Sequence, residues 1–307
     1  MRFLGIDTSN YTTSIACYDG KEGKNCSTLL PVKQGALGLR QSDAVFAHIK
    51  SLPELSGRLF SHVDMACVSA IGVSTRPRAL EGSYMPCFMV GYSHGKLLSD
   101  ALGVPLVEVS HQQGHVAAAA WSAGRLDLLD TPHLAWHLSG GTTELLLVEP
   151  EGKNVKCTCI GGTTDISAGQ LIDRTGQLME LPFPSGKQLD ALSRQATGET
   201  FFSVKCNALT FSLSGVENKV NEFYQSGKDR AETAAYALRS VCAAVSRVTY
   251  FAMQTYPGLE VVFSGGVASN SMLRQCVGEM KPVFAKPEYS TDNAMGVAVL
   301  TSRLWRE

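Results

Sequence analysis

Apolar and polar positions alternate in blocks along this chain. Phe3 to Ile6 form an apolar run, the polar turn Asp7-Thr8-Ser9-Asn10 interrupts it, and Ile15 to Tyr18 resume a strand-like pattern, which predicts an opening hairpin. From Gln41 to Leu59 the apolar residues Val45, Phe46, Ile49 and Leu52 recur at helical intervals, and the apolar run Met65 to Val73 predicts a buried strand. Gly91 to Leu102 has helical spacing with Gly103 as its stop. Pro105 to Val109 then reads as a short strand leading into a helix that starts at His111.

The pattern breaks over Asp127 to Thr131, after which His133 to Val148 repeats the opening design: apolar strand, the turn Ser139-Gly140-Gly141-Thr142-Thr143, apolar strand. Further elements are a helix over Asp165 to Met179, a loop over Pro182 to Gly186 and a long helix over Ala231 to Ala252. A strand over Glu260 to Phe263 then runs into Ser264-Gly265-Gly266. Strands that end in Gly/Ser/Thr turns, mixed with helices, predict α/β domains whose ligand sits where strand ends converge. With 307 residues the chain fits two domains of roughly 150 residues each. The boundary is expected near residue 130, with 131–290 as the second domain and 291–307 packing back on the first.

Composition narrows the class. The chain is 44% hydrophobic and 18% charged, and no run approaches the roughly 18 apolar residues of a membrane span. The amino terminus lacks an apolar core followed by a small-residue cleavage site, so a cytoplasmic protein with no membrane association is expected. The nine cysteines include no C-x-x-C pair, and Cys157 and Cys159 alternate as strand positions do, which favours free thiols over disulfides or a zinc cluster. A net charge of −1 gives little excess of cations to neutralise phosphates, so a nucleic-acid substrate would need help from partners. No tandem repeat is evident.

Three turns can present backbone N–H groups and hydroxyls to a phosphate: 7-DTS-9, 139-SGGTT-143 and 264-SGGVASN-270. His111 and His115 are spaced i, i+4, which places both imidazoles on one helix face; spacing alone leaves a shared metal and two ordinary histidines equally open. A metalloprotease of the H-E-x-x-H kind needs a glutamate beside the first histidine as general base, and that position is Gln112, so peptide hydrolysis is disfavoured. His48, His62, His94 and His133 read as surface or capping residues. Trp121, Trp136 and Trp305 are scattered as core or interface residues are, and Ala117 to Ala120 permit close helix packing.

GIDTS at the start, SHQQGH at 110–115, SGGTT at 139, AGQLIDRT at 168–175, PSG at 184–186, FSLSG at 211–215, SGGVASN at 264–270 and STDNA at 290–294 follow one another in order. In this the chain resembles the family once labelled glycoproteases and now understood as tRNA threonylcarbamoyladenosine transferases. The resemblance implies a two-domain actin/hexokinase/Hsp70-like ATPase fold with a nucleotide cleft between the domains. It also implies transfer of a threonylcarbamoyl group from its adenylate to N6 of an adenosine in tRNA.

Carried over by position, Asp7, Thr8, Ser9, His137, Leu138, Ser139, Gly140 and Gly141 fall on the nucleotide loops, and Asp173, Gly186, Asp190 and Asn270 on ribose and base. Asp292 becomes the third metal ligand beside His111 and His115. A two-histidine, one-carboxylate set suits Fe(2+) or Zn(2+), one per chain. ATP, AMP or the adenylate is the implied ligand, with Mg(2+) as a possible companion. The implied partners are tRNA, a second protein of the same fold and a small ATPase.

The chain departs from the family pattern at several places. Tyr11 and Thr12 stand where the first loop carries an acidic pair, Ser74-Thr75-Arg76-Pro77-Arg78 replaces a Gly-Pro-Gly segment with a small insertion through Ser83, SGGTT replaces SGGHT, and Ile166 replaces one of two adjacent acids. These departures leave open a nucleotide-binding paralogue without the activity, serving as an assembly partner. A small-molecule kinase or other carbamoyltransferase on the same fold shares the turns but has no use for His111 and His115.

Overall fold

The computed structural model describes residues 1–9, 11–32 and 39–305, so Asn10 of the first turn lies outside the described residues. The chain forms two compact units: Met1–Pro132 with Val148–Cys157 and Glu288–Glu307, and His133–Leu147 with Thr158–Pro287.

The first unit opens with β1 (Arg2–Asp7), β2 (Thr12–Tyr18) and β3 (Gly23–Leu29), then α1 (Gln41–Phe60), β4 (Val68–Arg76), α2 (Phe88–Leu102), β5 (Leu106–Ser110) and α3 (His111–Ser122). Its sheet has the order β3-β2-β1-β4-β5, antiparallel across the first three strands and parallel from β1 through β4 to β5. The chain continues through β6 (His133–Leu138), β7 (Thr143–Glu151), β8 (Asn154–Thr163), α4 (Ala168–Leu178), α5 (Gly186–Ser193), β9 (Cys206–Asn207) and β10 (Thr210–Phe211). It ends with α6 (Ser214–Gln225), α7 (Arg230–Thr255), β11 (Val261–Ser264), α8 (Ser271–Val277), β12 (Val283–Phe284), α9 (Pro287–Ser290) and α10 (Met295–Leu304).

The second sheet reads β12-β11-β6-β7-β8-β10-β9, with β6, β11 and β12 parallel. Its run β8-β7-β6-β11-β12 therefore repeats the order β3-β2-β1-β4-β5 of the first. The duplication lives in topology and leaves no periodic sequence signal, because insertions between strands differ in length.

Apolar burial explains the elements. In the first unit Leu4, Ile6, Ile15, Leu52, Leu55, Leu59, Ile71 and Val73 share one core; in the second, Trp136 shares a core with Leu134, Leu138, Leu145, Val241, Val245 and Phe263. The indole of Trp136 donates to Thr249 Oγ1 at 2.9 Å, so its one polar atom is satisfied inside the core. Ala117 to Ala120 of α3 are buried, and α10 crosses this helix closely: a Cβ on Gly296 would overlap the carbonyl oxygen of Gly114. Trp121 lies edge-on to Tyr18 and Tyr289, and Trp305 lies against the ring of Phe3. All nine cysteines are free thiols, and no helix among the described residues is long and apolar enough to cross a membrane.

Several local expectations change. The buried stripe of α1 is Ala44, His48, Leu52, Leu55 and Leu59, whereas Phe46 and Ile49 face solvent. The stripe thus turns His48 inward, where its Nδ1 lies 2.8 Å from Thr13 Oγ1, and His133 is also fully buried at the start of β6; neither is a surface residue. His62 is exposed, and His94 Nδ1 meets the Val90 carbonyl. Met65–Cys67 is a short 3-10 turn capped by Asp64, so the strand begins only at Val68. Helix α4 starts at Ala168 and not at Asp165, because Ser167 and Gln170 form a reciprocal cap there. Asp165 serves elsewhere: its carboxylate accepts from Ser212 Oγ, Ser214 Oγ and Leu213 N at the start of α6.

Candidate metal centre and nucleotide loops

The first unit builds a compact donor cluster at the start of α3. Ser110 caps that helix, its hydroxyl accepting from Gln113 N while the Gln113 side chain accepts from Ser110 N. Gln113 Nε2 also donates to the Val155 carbonyl at 2.7 Å, which anchors the helix end. On the next turn His111 and His115 face each other edge to face, with ring centroids 4.4 Å apart and the two Nε2 atoms 3.0 Å apart. Asp292, just ahead of α10, brings Oδ1 to 3.1 Å from His115 Nε2 and 3.6 Å from His111 Nε2.

These three atoms can serve one metal ion. A point equidistant from them lies about 1.9 Å from each, close to the ~2.0–2.1 Å of zinc–imidazole bonds. The donor set is chemically apt as well, with two imidazoles and one carboxylate leaving further positions open. Gln112 is buried on α3 with its backbone N–H on the Pro77 carbonyl, so the Arg76-Pro77-Arg78 segment is pinned beside the cluster. Arg76 pairs in register with Ser110, and Arg78 N donates to Ser83 Oγ.

Behind the cluster stands Asp7, at the end of β1 and 1% exposed. Its Oδ2 accepts from His111 Nδ1 at 2.8 Å and its Oδ1 from Ser9 N at 2.9 Å. Asp7 is thus the outer partner of a candidate ligand as well as part of the first turn. Sequence reasoning misses this role, since only the strand order β1-β4-β5 brings residue 7 to residue 111. Thr8 is also engaged: its hydroxyl donates to the Cys87 carbonyl and accepts from Gly91 N, which fixes the start of α2. Ser9 Oγ is buried and makes no hydrogen bond among the described residues.

Burial by itself pulls the His111 imidazole down, but the Asp7 carboxylate, with help from Asp292, outweighs it and carries it up to about 9. For Asp7, burial pushes up and the attraction of His111 wins, leaving it below the ordinary carboxylate value. In metal-free protein the His111 contribution to stability is full below its unfolded value of 6.5 and disappears as pH rises through about 9. The Asp7 contribution is present above 3.8 and lost only as pH falls through its lower folded value. Thermal unfolding in chelator is therefore expected to show Tm falling between pH 6.5 and 9, by a few kcal/mol of stability at most. A flat profile across that window contradicts the pairing.

The second unit places two glycine turns side by side. Strands β6 and β11 run parallel with His137 opposite Ser264, so the 139–143 and 264–270 turns leave neighbouring strand ends, as a phosphate site requires. Ser139 N donates to the Thr142 carbonyl and Thr142 N to Ser139 Oγ, closing the first turn. Ser167 Oγ donates to the Gly140 carbonyl and Ala168 N to Thr143 Oγ1, tying the start of α4 to it. His137 and Leu138 are buried at the end of β6, while Gly140 and Gly141 are exposed with open space where a Cβ would stand. Gly265 has φ 91°, and a Cβ there would strike the Leu138 backbone, so only glycine fits.

The remaining nucleotide candidates form two local groups. Asp173 Oδ1 accepts from Ser185 N at 2.8 Å next to Gly186, which opens α5 with free space at its Cβ position; burial raises the Asp173 carboxyl above its ordinary value. Asp190 Oδ1 accepts from both the N–H and hydroxyl of Ser271 and pairs with Arg194 through its other oxygen, while Asn270 caps α8 by accepting from Leu273 N. At the departures in the first turn, the Tyr11 carbonyl accepts from Leu30 N and Thr12 is buried at the start of β2.

Comparison with solved structures defines the fold class. Component A of (R)-2-hydroxyglutaryl-CoA dehydratase from Acidaminococcus fermentans matches with TM-score 0.57 and 16% identity, each chain covered in full. A ROK family glucokinase from Streptomyces griseus matches with TM-score 0.55 and 11% identity over 98% of this chain and 99% of its own. The protein therefore has the two-domain actin/hexokinase-type α/β fold. The tRNA N6-adenosine threonylcarbamoyltransferase family matches over residues 36–299, and the chain belongs to that family. A relative of that name from Thermosipho africanus is 28% identical over 323 residues, covering 100% of this chain and 95% of its own.

Proposed function

We propose that this protein transfers a threonylcarbamoyl group from a threonylcarbamoyl-adenylate to N6 of an adenosine in tRNA. The observation that carries the reading is the convergence of His111, His115 and Asp292, backed by Asp7, in a chain of this family. In the transfer, the N6 lone pair attacks the carbamoyl carbon, the new C–N bond forms, the C–O bond to the adenylate phosphate breaks and AMP leaves as the N6 proton is lost. The 139–143 and 264–270 turns donate N–H groups and hydroxyls to the phosphate. Asp173 and Asp190 accept from ribose hydroxyls beside Asn270, and the open space at Gly186 admits the flat base.

Iron or zinc held by His111, His115 and Asp292 supplies, when bound, a Lewis acid and a template for the acyl group. Asp7 keeps the proton of His111 on Nδ1, which leaves the Nε2 lone pair facing the cluster. Gln112 cannot accept a proton, so the cluster offers no base for peptide hydrolysis at that position. Because the net charge of −1 gives a weak hold on RNA phosphates, a second protein of the same fold and a small ATPase are proposed to help present tRNA.

The test is to mix the protein with tRNA, threonine, bicarbonate, ATP, the partner proteins and an adenylate-forming enzyme, and to measure modified adenosine by mass spectrometry. Product at a level comparable with the Thermosipho africanus relative supports the reading. No product, while that relative succeeds under the same conditions, overturns it in favour of a nucleotide-binding paralogue, which the residues at Tyr11 and Thr12 would then explain.

A further inference from the structure

The 264–270 turn of the second unit is fixed at both ends, and an arginine that the transfer scheme does not use fixes its exit. At the entry, Ser264 Oγ donates to the Trp136 carbonyl at 3.0 Å, and Gly265 lies against the Leu138 backbone. At the exit, the Arg274 side chain folds back on the turn from α8, and its Nε donates to the Ala268 carbonyl at 3.1 Å. Its Nη2 donates to the Ala285 carbonyl, one residue past β12, at 2.9 Å. The guanidinium carbon lies 4.4 Å from the centre of the Phe284 ring. Strands β11 and β12 are parallel neighbours, so one side chain ties together the segments that follow both.

The partners of Arg274 leave its charge uncancelled. The half-buried guanidinium meets two backbone carbonyls and a ring, and no carboxylate pairs with it among the described residues. Carbonyl dipoles orient toward a cation without neutralising it, and arginine stays protonated even when half-buried. A full positive charge therefore remains beside a turn that is read as a phosphate site. Ala268 is committed on both sides, since its N–H donates to the Gly265 carbonyl at 3.0 Å and its own carbonyl accepts from Arg274. Ser269 Oγ, next in the same turn, is buried and makes no hydrogen bond among the described residues, as a hydroxyl kept for a ligand would be.

We infer that Arg274 is a positioning residue for the nucleotide phosphate: it holds the 264–270 turn in shape through the Ala268 carbonyl and lends that turn a positive charge. The inference rests on the nucleotide reading given under Proposed function and names a residue that serves it. Arginine suits the task because its planar fork aims Nε and Nη2 at acceptors on two different segments, whereas lysine gathers its donors on one nitrogen. The ribose and base contacts do not depend on this side chain. Asn270 is held by its own cap on Leu273 N, and Ser271 by Asp190. The bond from Arg274 N to the Asn270 carbonyl is made by the backbone and survives any substitution except proline.

The test uses the whole protein and two probes, AMP and adenosine, which differ only in the phosphate. Dissociation constants are read by ligand-observed NMR titration, which reports weak binding as well as tight. Arg274→Met is expected to weaken AMP binding about tenfold and adenosine binding by less than about twofold. Arg274→Lys keeps the charge without the fork and is expected to weaken AMP binding about threefold; it carries the test should the methionine variant not fold. AMP binding by either folded variant at the strength of the parent overturns the inference and leaves the nucleotide reading in place. An equal loss for AMP and adenosine also overturns it, since a purely structural arginine would act on both. Failure of the unaltered protein to bind AMP removes the nucleotide reading and this inference with it.

Discussion

His115→Ala is expected to empty the metal site: metal content measured by mass spectrometry of purified protein falls from one ion per chain to below about 0.1, and transfer activity drops more than about 100-fold. On the proposed reading three donors hold the ion, and removal of one leaves His111 and Asp292, whose Nε2 and Oδ1 are 3.6 Å apart, as an open pair with little affinity. His115 is 4% exposed, so the substitution also leaves a small cavity worth roughly 1–2 kcal/mol, which a folded domain of this size tolerates. The melting temperature of the metal-free variant therefore stays close to that of the metal-free parent, and the loss is chemical. Full activity after confirmed loss of metal would end the metal reading. Retention of metal by the variant would instead place the ion elsewhere.

Asp7→Asn is expected to act one step further out. Asparagine keeps the shape of Asp7 and can still accept from His111 Nδ1, but it carries no charge to favour the tautomer that frees Nε2. Metal affinity, measured by competition with a chromophoric chelator, is expected to fall about 10- to 100-fold, with activity following it and recovering at high metal concentration. The same variant should lose the fall in metal-free stability between pH 6.5 and 9, because without the carboxylate His111 returns toward its ordinary range. Both readouts matter: a purely structural role for Asp7 would lower stability at every pH and leave the chelator competition unchanged. Unaltered affinity with unaltered activity would remove Asp7 from the site.

Much of this site was legible along the chain. The i, i+4 spacing of His111 and His115 needs only the helix that the sequence pattern starts at His111, and the Ser110 and Gln113 cap that begins it is local. The 139–143 and 264–270 turns were visible as glycine pairs after apolar strands. Asp292 entered only through family resemblance, since it lies 177 residues from His115 and no local pattern links them. His48 was read as a surface or capping residue, and of the apolar positions offered for its helix Phe46 and Ile49 face solvent while Leu52 is buried, so the inward stripe is completed by His48 itself.

Asp7 shows the same limit from the other side. Its place in a polar turn suggested a phosphate contact, and nothing nearby in sequence announces a partner 104 positions away. Pairing of β1 with β4, and of β4 with β5, sets the ends of these strands side by side, and the carboxylate then finds the imidazole.

The sequence by itself determined what backbone geometry dictates over a few residues: where β1, β2, α3, β6 and α7 run, where turns expose N–H groups, which histidines share a helix face, and that glutamine stands where a protease needs glutamate. Only the tertiary structure decided the Asp7 contact, the adjacency of the two glycine turns on β6 and β11 and the inward turn of His48. The physical reason is that helical and strand periods are properties of the local chain, whereas strand order is a global choice that a few residues of pattern do not encode.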